Sequence, residues 1–291
     1  MTDFNRLRHD DWAYWQALAP DLTLTDGPLS PVPPIPFAGD RLSQMSDRLH
    51  HDGYIAEPPV FDEAVLAPLR TGLARLVAEG WPPAFIYIYD QPWQVFLRLK
   101  HMLGHFLGDD FGLLPHFWAW HIEPDATGTR AGWPAHVDYP GDCAFFDDYL
   151  VSLSLWVPLT DATPENGCMN ILPLSRQKTY DPPITDPCQI RVEDVRCLPA
   201  KAGSVLGWRQ DLWHWSTRSS RYAEGPRMSL SLEFQNRAFD PLCPPLFDLR
   251  KPPSLADRVR YICGQFAKYD HMEQVNPDLF HLAQEIGMTQ P

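Results

Sequence analysis

Two short segments restrict this chain more than any other feature of its sequence. Val151–Val157, VSLSLWV, and Arg227–Phe234, RMSLSLEF, alternate with a period of two. Side chains two apart on a strand share a face. Ser152, Ser154 and Trp156 therefore fall on one side of the first segment, and Leu153, Leu155 and Val157 on the other. In the second, Arg227, Ser229, Ser231 and Glu233 oppose Met228, Leu230, Leu232 and Phe234. A sheet built from such strands packs its apolar face under helices and turns its polar face into a cavity. That is the interior of a double-sheet barrel or jelly roll.

The flanking segments supply the helices. Asp62–Gly80 places Val65, Leu66, Leu69, Leu73 and Leu76 at helical spacing, with Asp62 as cap, Gly80 as stop and Pro68 as a kink or a later start. Gln91–Leu107 reads as a second helix, and Leu255–Phe266 and Leu279–Ile286 as two more. Residues 20–37 hold a dense cluster of the chain's 31 prolines, which predicts an extended arm wrapped over the surface. The expectation is one α+β domain over residues 1–291. It comprises a Pro-rich arm (1–37), helices with a jelly-roll core (38–250) and C-terminal helices (251–291).

Net charge is −13, from 37 acidic and 24 basic residues. Nucleic-acid binding rests on neutralising phosphates with Lys and Arg, so this balance argues against it. No apolar run approaches a bilayer-spanning length, and the N-terminus lacks the apolar core of a secretory signal. The six cysteines include no Cys-x-x-Cys pair, which fits reduced thiols in a cytoplasm. The expected partner is a small molecule.

Histidine beside a carboxylate recurs along the chain, so spacing alone selects no site. His9–Asp11 and His271–Glu273 sit in polar stretches and read as solvated; His50–Asp52 closes a helix, where side chains i and i+2 diverge. His101 and His105 are i, i+4 on a helix but lack the glutamate of His-Glu-x-x-His. His121 and Glu123 lie on a strand-like segment, FWAWHI, as the best rival pair. His136 and Asp138 lie in the strand-rich half before the turn signal Pro140-Gly141-Asp142, where i and i+2 share a face. His214 follows in LWHWS, and Arg227 opens a polar-faced strand thirteen residues later. Two histidines and one carboxylate suit a non-haem Fe(II) oxygenase, and an arginine beside a serine suits a carboxylate ligand.

In their order, HVD, LWHWS and RMSLSLEF resemble the phytanoyl-CoA dioxygenase-like family of Fe(II)/2-oxoglutarate-dependent dioxygenases, with SLWVPLTDATPENGCMNILPLSRQ between them similar to that family's strand–Asp–Asn-Gly–Pro-x-Ser segment. The resemblance covers residues 45–240 and implies a double-stranded β-helix, the cupin-like jelly roll. It implies that His136, Asp138 and His214 ligate Fe(II) and that Arg227 binds the far carboxylate of 2-oxoglutarate. Ser216 would assist Arg227, Trp156 would border the cosubstrate, and Ser229 is a further candidate there. Tyr139 and His121 are candidates for contact with substrate. The implied reaction uses O₂, releases succinate and CO₂, and hydroxylates a C–H bond. Related halogenases carry a small residue at the carboxylate position, so Asp138 implies oxidation without halogenation.

PLSRQ at 173–177 departs from that family's Pro-Gly-Ser-His, and no lysine within Phe85–Tyr89 matches one that helps hold the cosubstrate in some relatives. Two other readings stay open. A zinc hydrolase would use the same three ligands and leave Arg227 without a task; a non-catalytic jelly roll would bind a metabolite and leave the three ligands coincidental.

Overall fold

The computed structural model describes residues 10–125, 133–139, 144–146, 149–269 and 276–287. His9, the turn signal at 140–142 and the His271–Glu273 pair lie outside the described residues.

Helix α1 (Trp12–Leu18) is followed by an extended arm, then α2 (Gly39–Asp52), strand β1 (Tyr54–Glu57) and α3 (Glu63–Ala78). A 3₁₀ turn at Pro83–Ile88 leads to α4 (Asp90–Arg98), α5 (Lys100–Leu107) and the long strand β2 (Phe111–Ile122). Next come β3 (Phe145–Phe146), β4 (Tyr149–Leu150), β5 (Ser152–Pro158), β6 (Met169–Ile171) and the single turn α6 (Leu174–Gln177). Strands β7 (Arg196–Leu198), β8 (Val205–Trp208), β9 (His214–Ser216) and β10 (Arg227–Asn236) complete the sheets, and α7 (Leu255–Lys268) and α8 (Pro277–Gly287) follow.

The larger sheet has the order β1-β8-β5-β10-β2 and is antiparallel throughout. The smaller has the order β7-β6-β9. Leu153, Leu155 and Val157 of β5 and Leu230, Leu232 and Phe234 of β10 join the main core with the apolar faces of α3, α4, α5 and α7. A second apolar cluster takes Trp156, Leu206 and Trp208 from the large sheet and Met169 and Ile171 from the small one. The two sheets therefore face each other, in contact on the β8 side and separated by a cavity on the β10–β2 side. The alternation in β5 and β10 is oriented as the sequence predicts.

Asp62 caps α3 by accepting from Val65 N, and Gly53 ends α2 with a left-handed φ of 85° where a Cβ would strike Leu174. The expected helix over 91–107 is instead two helices that meet at Leu99. No glycine or proline marks that break, and both segments keep an apolar face. The arm from 20 to 38 carries no helix or strand, with a turn at 20–21 and bends at 22 and 26–28, while residues 12–18 of the expected arm are helical and bury Trp15.

A buried ion pair fixes the arm. Arg258 Nη1 donates to Asp90 Oδ1 at 3.0 Å and to Ile88 O, and Nη2 donates to Thr25 O. Asp90 Oδ2 also accepts from Thr23 Oγ1 and Thr25 Oγ1. One carboxylate thus joins the arm, the start of α4 and α7. Removing one partner of a buried, fully bonded pair costs about 3–5 kcal/mol. Asp90→Ala is expected to lose stability of that order, read as a lower denaturation midpoint at unchanged slope.

Candidate active site

The site is assembled at one edge of the small sheet. His136 pairs with His214 through two backbone hydrogen bonds, His136 N to His214 O at 3.1 Å and His214 N to His136 O at 3.0 Å. Two residues on, Asp138 N and Tyr139 N both donate to Gln210 O. These bonds hold His136 and Asp138 extended, the backbone that lets i and i+2 point the same way.

His136 Nε2 lies 3.4 Å from Asp138 Oδ1, and His214 Nε2 lies 3.6 Å from the same oxygen. Donors about 2.1 Å from one ion at right angles stand about 3 Å apart, so this spacing needs little closure to hold a first-row divalent metal. Among the described residues it is the one group of three or more His, Cys, Asp or Glu with ligand atoms within 4.8 Å of one another.

Groups behind the donors set their direction. His136 Nδ1 lies 2.7 Å from Pro134 O, and His214 Nδ1 lies 3.0 Å from Leu212 O. A carbonyl only accepts, so each Nδ1 carries the proton and each Nε2 turns a lone pair inward. Asp138 Oδ2 accepts from Ser154 Oγ at 3.1 Å and Trp208 Nε1 at 3.3 Å, which leaves Oδ1 for the centre. Burial pushes the His214 imidazole down to about 4, against the pull of Asp138. Burial opposes ionisation of Asp138, but His214, His136 and the Ser154 hydroxyl outweigh it and hold the carboxyl below its usual range. Near neutral pH the pair is ionised carboxylate and neutral imidazole, the states a cation requires.

Arg227 lies in the wall of the same cavity, which encloses about 370 Å³. It is 1% exposed, and burial lowers its pKa to about 10. Its Nη2 donates to Ser216 Oγ at 3.3 Å, and Ser216 Oγ also accepts from Trp133 N at 2.9 Å. The guanidinium carbon is 5.8 Å from the Trp156 ring. Among the described residues no carboxylate pairs with Arg227, and its Nε and the buried Trp156 Nε1 and Ser229 Oγ lack hydrogen-bond partners. Buried cations are normally paired. The wall therefore fits an anion with several acceptor oxygens, next to a set of donors that fits a divalent cation.

Trp156, Ser216 and Tyr139 line the cavity as expected, whereas Ser229 and His121 do not. Ser229 has Arg227's parity but is fully buried beside Pro158 and Trp120. His121 fails for a simpler reason. On β2 the even positions His116, Trp118 and Trp120 face the cavity, so His121 turns the other way. The helical histidines hold structure instead: His101 Nδ1 accepts from Phe37 N, and His105 Nε2 contacts Ser46 Oγ. Trp208 and Gln210 escape a motif search; only the alternation of β8 and the WHW segment after it hint at them. Cys168 and Cys197, far apart in sequence, bring their Sγ atoms to 3.1 Å.

Residues 89–224 match the family described as phytanoyl-CoA dioxygenase (PhyH). Among solved structures, the non-haem α-ketoglutarate-dependent epimerase SnoN from nogalamycin biosynthesis is similar, with 19% identity over 75% of this chain and 97% of its own, at a TM-score of 0.54. The carbocyclase SnoK from nogalamycin biosynthesis has 15% identity over 76% and 98%, at 0.52. HygX from Streptomyces hygroscopicus, with nickel and 2-oxoglutarate bound, has 15% identity over 67% and 87%, at 0.53. At these identities the likeness is one of fold. No curated protein matches the chain in sequence.

The histidine tautomers are directly measurable. In ¹⁵N-resolved spectra of metal-free protein, His136 and His214 are expected as Nδ1–H tautomers, and an Nε2–H form of either would turn its lone pair out of the centre.

Proposed function

We propose that this chain, whose residues 89–224 match the phytanoyl-CoA dioxygenase family, is an Fe(II)- and 2-oxoglutarate-dependent dioxygenase hydroxylating a small molecule. The observation that carries this reading is Arg227, a buried guanidinium without a carboxylate partner among the described residues, in one cavity with His136, Asp138 and His214. We read the paired sheets as a double-stranded β-helix, and residues 1–291 as one catalytic domain.

In this proposal His136 Nε2, Asp138 Oδ1 and His214 Nε2 hold the iron on one side. Arg227 grips the far carboxylate of 2-oxoglutarate with parallel N–H donors, and Ser216 Oγ, already tied to Trp133 N, keeps the guanidinium from turning. Trp156 closes one side of the cosubstrate space. Ser154 and Trp208 hold Asp138 by Oδ2, so its second oxygen does not swing onto the ion. The indoles of Trp118, Trp120 and Trp133 keep water from the space where substrate lies. When bound, iron with 2-oxoglutarate and O₂ supplies an oxidant that takes hydrogen from an unactivated C–H, with succinate and CO₂ as co-products.

A zinc hydrolase built on the same ligands would have no use for a buried arginine at this place. Among the described residues no helix is long and apolar enough to cross a membrane, and a small molecule is the partner this cavity suits.

Two results decide the proposal. His136→Ala and Asp138→Ala are expected to lose tight Fe(II) binding by anaerobic titration and metal analysis, while His50→Ala keeps it; Fe(II) retained in both variants would overturn the ligand set. Arg227→Ala is expected to keep Fe(II) and weaken 2-oxoglutarate by about 10²-fold, the loss of two charged hydrogen bonds. Arg227→Lys should recover only part, because an ammonium lacks the planar fork. Substrate-free turnover of 2-oxoglutarate to succinate, followed by NMR, should depend on iron. Incorporation of label from ¹⁸O₂ into an oxidised product separates hydroxylation from epimerisation or ring closure.

A further inference from the structure

The cavity continues beyond the three candidate ligands into an end that the proposed chemistry leaves unused. Trp133 lies 5.9 Å from the His136 ring and 4.9 Å, edge-on, from Trp118. Trp118 stacks parallel to Trp120 at 6.3 Å and meets the Tyr269 ring at 5.2 Å. These indoles form a trough from the ligand set to the end of α7. Its walls suit a flat, apolar body, because indole faces stack on rings and exclude water.

The far end of the trough is charged. His116 and Glu233 are buried in the wall, 4% and 6% exposed, with Nδ1 and Oε2 3.2 Å apart. Glu233 Oε1 accepts from Trp118 Nε1 at 3.3 Å, so each carboxylate oxygen has one partner in the wall. The other ring nitrogen, His116 Nε2, lies 3.5 Å from Lys268 Nζ and 3.5 Å from the Tyr269 hydroxyl. Cys243 Sγ is 4.0 Å from Lys268 Nζ. The register of β10 on β2 runs unbroken through Leu232 opposite Phe117, which sets His116 opposite Glu233, and it shifts only beyond that point, before Phe234 opposite Leu113.

The balance of charge selects the ligand. Burial works against a charged His116, but Glu233 and the Cys243 thiol carry its pKa up to about 9. At neutral pH the imidazolium and Glu233 cancel, and Lys268 adds one positive charge at the rim. Two cationic groups 3.5 Å apart repel each other, and an anion accepting from both relieves that repulsion.

We propose that the substrate is a carboxylate carried on a flat aromatic or alicyclic body. Its acid group is held by Lys268 and His116 Nε2, and its body lies along Trp118 and Trp133 toward His136. The assignment rests on the proposed function only for what happens at the ligand-set end; recognition at the far end requires neither metal nor cosubstrate.

The test uses metal-free protein at pH 7 and three probes of one shape: 2-naphthoate, neutral 2-naphthamide and cationic 2-naphthylmethylammonium, followed by calorimetry. The naphthoate is expected to bind at least about tenfold tighter than the other two, the worth of one charge-assisted hydrogen bond. Lys268→Ala should remove that preference, and Lys268→Glu should shift it toward the ammonium. Trp118→Ala should weaken all three probes together, and Arg227→Ala should leave the naphthoate preference in place. The proposal is overturned if none of the probes binds, if the three bind alike, or if the preference survives Lys268→Ala. It is equally overturned if Arg227→Ala abolishes the preference, since the acid then sits at the cosubstrate end. Loss of iron-dependent 2-oxoglutarate turnover as a property of the protein would refute the oxygenase reading without touching this titration.

Discussion

The interior strand β10 is buried on both faces, and most of this architecture follows from how it satisfies two environments at once. Leu230, Leu232 and Phe234 complete a core shared with helices, while Arg227, Ser231 and Glu233 face a cavity. A polar face inside a protein is costly unless each group finds a partner. Ser231 Oγ donates to Leu155 O, Glu233 is bonded to His116 and Trp118, and Arg227 reaches Ser216 by one nitrogen only. Satisfaction thus runs out at Arg227, which is where a ligand has the most to contribute.

The candidate ligands are oriented from outside the cavity. Each imidazole is turned by the carbonyl two residues before it, and Asp138 is turned by Ser154 and Trp208 from two neighbouring strands. The ligand set therefore depends on contact between both sheets: His214 belongs to the small one, His136 is bridged to it, and the groups that hold Asp138 belong to the large one. Such a division makes the site a product of sheet packing instead of a property of one loop. Substituting Ser154 or Trp208 would free a carboxylate without removing it.

How much of this could be read from sequence depends on the range of each interaction. The faces of β5 and β10 were legible because a period of two needs only a few residues, and the separation of His136–Asp138 from the helical His50–Asp52 needed only local backbone shape. Parity on β2 was equally local, yet His121 drew attention by its chemistry while His116, five residues earlier, faces the cavity. The break at Leu99 carries no glycine or proline and is decided by how α4 and α5 dock on different neighbours. His116 with Glu233, Cys168 with Cys197 and Arg258 with Asp90 are products of topology, each pair far apart in the chain. Chemistry read from a motif selects candidate ligands; it finds poorly the groups that aim them.

The two ends of the cavity differ in what they can discriminate. At the Arg227 end, a buried arginine in the cavity wall suits, in the proposed reading, one small dicarboxylate. At the Lys268 end the charge sits at the rim, where solvent weakens it, and apolar indoles carry most of the contact. Apolar surface discriminates modestly among bodies of similar shape, whereas a charge at a defined distance discriminates strongly between acids and their neutral isosteres. The geometry thus permits variation in the substrate's body while fixing the position of one polar group. Under the proposal, that group sets which carbon lies beside His136, and the site of reaction follows from the distance between two polar ends and not from recognition of the carbon itself.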